Sequence, residues 1–203
     1  MITASEAIQR LKEGNQRFVA GVRSIDTSIK QMQRAEFVNG QDPFAIILGC
    51  SDSRVPAEII FDQGLGDLFV IRVAGNIVAP SQVGSVEFAA DLFNTKLVVV
   101  LGHSMCGAVK ATIDQLERPS EERSTCILSI VNRIRPSVEP LLETDLRNDP
   151  EKLLESSIHA NIMVSTNHLK HGSQILENLV QQGDFKIIGA EYSLETGLVN
   201  FFE

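Results

Sequence analysis

Two short segments carry the residues best suited to chemistry: Cys50-Ser51-Asp52-Ser53-Arg54 and His103-Ser104-Met105-Cys106-Gly107. Together they offer two thiols and one imidazole. Two sulfurs and one nitrogen suit a tetrahedral zinc whose fourth position stays open, the pattern of a catalytic metal rather than a structural one. Asp52 and Arg54 stand beside the first sulfur, where a water activated at the metal needs a hydrogen-bond acceptor. Arg54 would keep the Asp52 carboxylate ionised by direct attraction and hold it away from the metal. An exposed Asp–Arg pair elsewhere on a surface contributes only about 0–1 kcal/mol. Immediately after a candidate ligand, the chemical reading gains ground.

Each segment must be held by the element before it. Phe44 to Gly49 is a short apolar run after Pro43, and Leu97 to Leu101 is a second and clearer one. Both read as strands buried on two faces, as in a parallel sheet. Leu68 to Val73 and Lys186 to Ala190 make two more strands. Leu198 to Phe202 follows the turn Ser193 to Gly197 and is expected to return antiparallel at an edge. In open parallel sheets, ligands gather at the carboxyl ends of the strands. Cys50 ends the first strand, and His103 and Cys106 follow the third, so neighbouring strands would bring the three together. Cys106 would then begin a helix, where the dipole favours a thiolate.

Helices are expected over about 80–94, 105–117, 124–144 and 150–182, the last with Asp149 as its cap, Pro150 at its first position and a break at Gly172-Ser173. Residues 4–20 form an amphipathic helix capped by Thr3 or Ser5. A weaker helix over 27–38 ends at Gly40. This predicts one α/β domain over residues 1–203: a mostly parallel sheet of four strands plus an antiparallel edge strand, flanked by helices. Residues 1–40 form an N-terminal helical arm that packs on a partner subunit. Residues 117–124 form a polar loop. Cys126 lacks a partner motif and reads as helix packing. His159, His168 and His171 read as helix surface or subunit contacts. Gly49, Gly102 and Gly107 are turn residues that could also let backbone approach a metal and a small anion.

Composition narrows the function classes. Across 203 residues, 43% are hydrophobic and 22% charged, with a formal net charge of -8. No basic run provides a nucleic-acid groove. No apolar stretch approaches the roughly 18 residues of a membrane span. Three cysteines, an odd and low count, argue against a disulfide framework and for a reducing compartment. Residues 1–6 lack the basic and apolar regions of a secretory signal. The expected location is the cytoplasm, or an organellar stroma or matrix if a transit peptide was removed.

Cys-Ser-Asp-Ser-Arg at 50–54 with Gly-His-Ser-Met-Cys-Gly at 102–107 resembles the β-class carbonic anhydrases. The likeness extends through Phe69 to Asn76, Gly84 to Ala89 and Gly189 to Gly197. It implies reversible hydration of carbon dioxide to bicarbonate and a proton by zinc-bound hydroxide. One zinc per chain would sit on Cys50, His103 and Cys106, with Asp52 and Arg54 as the catalytic dyad. Gln41 and Phe69 match substrate-pocket residues that the family takes from the neighbouring subunit, implying a homodimer or a dimer of dimers with active sites near the interface. Ala74, Phe88 and Gly107 complete the expected pocket. Phe88 stands where plant-like members carry a tyrosine. Ile47 stands where some bacterial members carry the tryptophan of an inhibitory bicarbonate site, so that regulation is not expected. Two thiolates cancel the formal charge of the metal, so activity should rise above neutral pH. Two alternatives stay open: hydrolysis of carbonyl sulfide or carbon disulfide on the same fold, and a non-catalytic zinc-binding scaffold.

Overall fold

The computed structural model describes residues 2–32, 38, 40–118 and 124–202. Five strands form one sheet in the order β2-β1-β3-β4-β5: β1 (Ala45–Gly49), β2 (Leu68–Arg72), β3 (Leu97–His103), β4 (Lys186–Tyr192) and β5 (Val199–Phe202). The first four are parallel and β5 runs antiparallel to β4. This is the predicted architecture. Every residue of β1 and β3 is buried, which explains their unbroken apolar runs: both faces of each strand are covered. The register sets Gly49 beside both Arg72 and Leu101. The carboxyl ends of β1, β2 and β3 therefore lie together.

One face of the sheet is covered by α4 (Pro80–Leu92), α5 (Gly107–Glu117), α6 (Thr125–Leu142), α7 (Pro150–His171) and α8 (Gln174–Gln181). Their apolar positions join Ile46, Leu48, Val98, Val100 and Ile187 in one cluster. The other face carries α1 (Ala4–Val19) and the short α3 (Ala57–Ile60), while α2 (Ile25–Met32) lies between them in sequence. Thr3 caps α1 reciprocally with Glu6, whose side chain accepts from the Thr3 N–H at 2.7 Å. Asp149 caps α7 and Pro150 opens it, and the helix ends at Gly172 as the sequence implied.

Two glycines seat α7. A side chain at Gly102 on β3 would meet Ile162 Cδ1 and Cγ1 at 2.5 Å, and one at Gly189 on β4 would meet Ile162 Cγ2 at 2.8 Å. Ile162 fills the slot left by two missing side chains. Helix and sheet approach more closely there than any Cβ would permit.

Several expectations need correction. On α1, Ala7 and Leu11 are fully buried in a cluster with Ile47, Val99 and Ala190 of the same chain. Among the described residues of the arm, Val19, Val22, Ile25, Ile29 and Val38 present apolar side chains to solvent. The predicted helix over 27–38 begins earlier, at Ile25, and its positions 33–37 lie outside the described residues, as do 119–123 of the polar loop. β3 continues to His103, because pairing with Tyr192 extends the ladder past the apolar run. The following helix starts at Gly107 rather than 105, since Met105 takes a positive φ of 56° that no helix accommodates. Cys126 is exposed in the first turn of α6, not packed.

Candidate metal centre

Cys50 leaves β1 at its carboxyl end, His103 is the last residue of β3, and Cys106 caps α5. The left-handed Met105 turns the chain sharply enough to return Cys106 toward His103. The two cysteine sulfurs and a His103 ring nitrogen lie within 4.8 Å of one another, and among the described residues they are the group of this kind that could hold a metal ion. All three residues are buried: 5%, 1% and 1% exposed for Cys50, His103 and Cys106.

The donor set can be tested against the structure itself. His103 Nδ1 lies 2.8 Å from the Ser104 carbonyl, which accepts a proton from it and fixes the tautomer. That leaves Nε2 as a lone pair, buried and without any hydrogen-bond partner. A buried, unsatisfied imidazole nitrogen beside two buried thiols is costly unless something binds it. A borderline-soft divalent ion such as zinc matches this set. The two thiols also share protons unevenly. Contact with the Cys106 thiol pulls Cys50 well below the usual thiol range, against the opposing effect of burial. The same contact, with burial, pushes Cys106 upward. Burial lowers His103, but the Cys50 sulfur, the Ser104 carbonyl and the Asp52 charge together raise the imidazole overall.

Asp52 and Arg54 form a two-pronged pair, with Arg54 Nε 2.9 Å from Asp52 Oδ1 and Nη2 2.8 Å from Oδ2. The Arg54 backbone N–H adds a third bond to Oδ1 at 3.0 Å. The Arg54 side chain thereby holds the carboxyl far below its ordinary range. Asp52 Oδ2 lies 3.9 Å from His103 Nε2. Oδ2, which also accepts from Arg54 Nη2, therefore faces the donor cluster.

Three features were not read from the sequence. Arg72, at the end of β2, donates from Nε to the Cys50 carbonyl at 3.0 Å and from Nη2 to the Asp52 carbonyl at 2.6 Å. It ties down the loop that carries the dyad. Ser104 donates to Glu195 at 2.8 Å and accepts from the Leu194 N–H at 2.9 Å, docking the turn before β5 against the His103 segment. The Gly75 N–H points at Cys50 Sγ, 3.3 Å away.

The expected pocket divides into two groups. Ala74 and Gly107 accompany Cys50, Asp52, Arg54, His103 and Cys106: Ala74 opens the short 3-10 turn that contains Gly75, and Gly107 opens α5 after Cys106. Gln41, Phe69 and Phe88 stand apart from the Cys50 of their own chain. Gln41 is exposed and precedes β1, at the end of the sheet remote from Cys50. Phe69 pairs with Ile46, four residues before Cys50, or about 13 Å along a strand. It packs with Phe88 at 6.3 Å and Phe93 at 6.0 Å between ring centres, and Phe88 is 54% exposed. Of the three histidines read as surface, His159 lies edge-on to Phe202 at 4.6 Å and His171 faces Glu177 at 3.6 Å.

Comparison with known proteins gives a consistent result. Residues 45–199 match the family model described as carbonic anhydrase. Carbonic anhydrase 2 of Mycobacterium tuberculosis is 39% identical over 191 residues, covering 94% of this chain and 89% of that protein. Among solved structures, the β-carbonic anhydrase CcaA aligns with a TM-score of 0.78 at 27% identity, covering 98% of this chain and 88% of that one. Two tetrameric β-carbonic anhydrases from the ascomycete Sordaria macrospora share the fold, with a TM-score of 0.73 at 22% identity over 86% of this chain and 90% of the other.

Proposed function

The chain belongs to the β class of the carbonic anhydrases, which hydrate carbon dioxide reversibly to bicarbonate and a proton, and we propose that it does so with one zinc held by Cys50, His103 and Cys106 and with Asp52 and Arg54 as its dyad. The observation that carries the site assignment is the buried, partnerless Nε2 of His103 beside two buried thiols. Zinc bound there supplies Lewis acidity that turns water into a nucleophile near neutral pH.

The remaining roles fall to the residues. The Ser104 carbonyl fixes the His103 tautomer and so keeps Nε2 a donor. Asp52, ionised by Arg54, accepts a proton-bearing edge of the attacking water and turns its lone pair toward the carbon of the substrate. Arg72 keeps that acceptor in place through the loop backbone. Ala74 gives a small apolar wall, and the first N–H groups of α5 at Gly107 face developing charge on the product oxygens. Gln41, Phe69 and Phe88 reach this pocket from a neighbouring copy. Their distance from the Cys50 of their own chain and the exposure of Phe88 support that reading, as do the tetrameric relatives. We infer a homodimer or a dimer of dimers. No described helix is long and apolar enough to cross a membrane, and the free cysteines support a reducing cytoplasm.

Asp52→Asn tests the dyad. It keeps every metal donor and removes the charged acceptor, so zinc content should hold while turnover falls about a hundredfold or more. Loss of zinc with the substitution would show that the pair supports the fold instead.

A further inference from the structure

We propose that Asn161 is a positioning residue for the metal centre: through the Gly75 peptide it aims a backbone N–H at the Cys50 sulfur and so sets how strongly that thiolate donates to the metal. This rests on the reading of Cys50 as a zinc ligand.

The chain of contacts is short and buried. Asn161, on α7, is 1% exposed, and its Nδ2 donates to the Gly75 carbonyl at 2.8 Å across 86 residues of sequence. The N–H of the same Gly75 lies 3.3 Å from Cys50 Sγ. Gly75 has φ 71° and ψ 21°, the left-handed region. A Cβ there would meet Ile134 Cδ1 at 2.7 Å and Ala108 Cβ at 3.1 Å. A glycine free to visit many conformations is thus walled in by α5 and α6 and pinned from α7. Asn161 fixes the peptide plane that follows Gly75, and the walls around Gly75 hold the left-handed φ that orients the preceding plane, whose N–H points at the sulfur.

Asn161 shares the buried face of α7 with Leu153, Ile158, Ile162 and Leu169 and with the small polar Ser157, Ser165 and Thr166. Burying an amide there is costly unless it is bonded; its Nδ2 makes the bond to Gly75, while its Oδ1 has no hydrogen-bond partner among the described residues. The neighbouring Ile162, locked into the slot over Gly102 and Gly189, fixes where α7 sits and hence where the amide ends. A hydrogen bond to a ligating sulfur withdraws charge from it, and loss of such an outer contact typically costs about 10- to 100-fold in metal affinity or activity. In a site with two thiolates, an N–H aimed at one of them restores part of the Lewis acidity that the second sulfur removes.

The test uses the holoprotein with cobalt(II) in place of zinc, since the sulfur-to-cobalt absorption band reports thiolate donation directly. Asn161→Leu removes the donor, and Asn161→Ser does so with less bulk if the leucine variant fails to fold. Both should load cobalt to the wild-type stoichiometry, move the band to longer wavelength, and lose about tenfold in hydration rate as zinc proteins. Asn161→Gln, which keeps an amide donor, should restore most of both. Leu169→Ala opens a cavity under α7 about two turns from the amide, so it should lower thermal stability without moving the band. If the leucine and serine variants keep the wild-type band while only melting earlier, Asn161 is structural and the proposal fails. Absence of any sulfur-to-cobalt band in the wild type would overturn the ligand reading itself, and the proposal with it.

Discussion

Gly102→Ala gives the sharpest test of how α7 is seated over the sheet. The added methyl would lie 2.5 Å from both Ile162 Cδ1 and Cγ1. Ordinary carbon contacts begin about 1 Å further out, so the helix or the isoleucine must move by that much. Gly102 lies within β3 and carries no positive φ, so alanine meets no backbone strain. Replacing glycine in a strand even returns about 0.5–1 kcal/mol of chain entropy. Overpacking a filled core costs about 1–3 kcal/mol, and a contact as short as 2.5 Å lies in the upper half of that range, about 2–3 kcal/mol. The net is a loss of about 1–2.5 kcal/mol, and for a chain of this size each kcal/mol lowers Tm by about 2–4 °C. Thermal unfolding of zinc-loaded protein should therefore show a drop of about 2–10 °C. Ile162→Val removes Cδ1, so the double variant should be less destabilised than the sum of the two singles, a coupling of about 0.5 kcal/mol or more. A Gly102→Ala protein as stable as wild type, or strict additivity in the double variant, would refute the slot as the seat of α7.

Other consequences follow from the same contacts. Arg72→Met removes both bonds to the Cys50 and Asp52 carbonyls, and kcat/KM should fall about ten- to a hundredfold with zinc content intact; an unchanged rate would show that the loop holds itself. Glu191 is held partly buried, and burial raises its carboxyl above the ordinary range, with His159 and His103 opposing and Glu155 and Glu195 adding to the rise. A carboxyl raised in the folded state binds more protons there than when unfolded, so its ionisation costs stability as pH rises above the unfolded value of about 4.3. Glu191→Gln should accordingly raise Tm at neutral pH and lose that advantage in acid; a lower Tm at neutral pH would contradict the reading. Cys126→Ser, at an exposed position in the first turn of α6, should change neither zinc content nor hydration rate.

What the sequence disclosed and what it hid have physical causes. Ile46-Ile47-Leu48 and Leu97 to Leu101 are legible as central strands because burial on both faces leaves no room for polar alternation. Cys50, His103 and Cys106 are legible because metal chemistry restricts residue type and spacing together. Arg72 was passed over because its targets are backbone carbonyls, which leave no mark on side-chain identity. Its one signal was a guanidinium at a strand end facing the same edge as Cys50. Asn161 was hidden in a long helix with polar residues on several sides, and only the packing of Ile162 shows that its face is the buried one. The strand boundary at His103 was missed because pairing with Tyr192, not local propensity, extends β3. An amphipathic stripe likewise shows that α1 must be covered, not by which chain. Gln41, Phe69 and Phe88 lie away from the Cys50 of their own chain, so a single chain does not bring them into the expected pocket.

The central claim is that the Cys-His-Cys group holds a catalytic zinc. Stopped-flow carbon dioxide hydration from about pH 6.5 to about pH 9, on protein whose zinc per chain is measured in the same sample, tests it most directly. The account predicts about one zinc per chain and a hydration rate that rises toward alkaline pH. One zinc per chain with no hydration at any pH, or full hydration by protein stripped of metal, would contradict it.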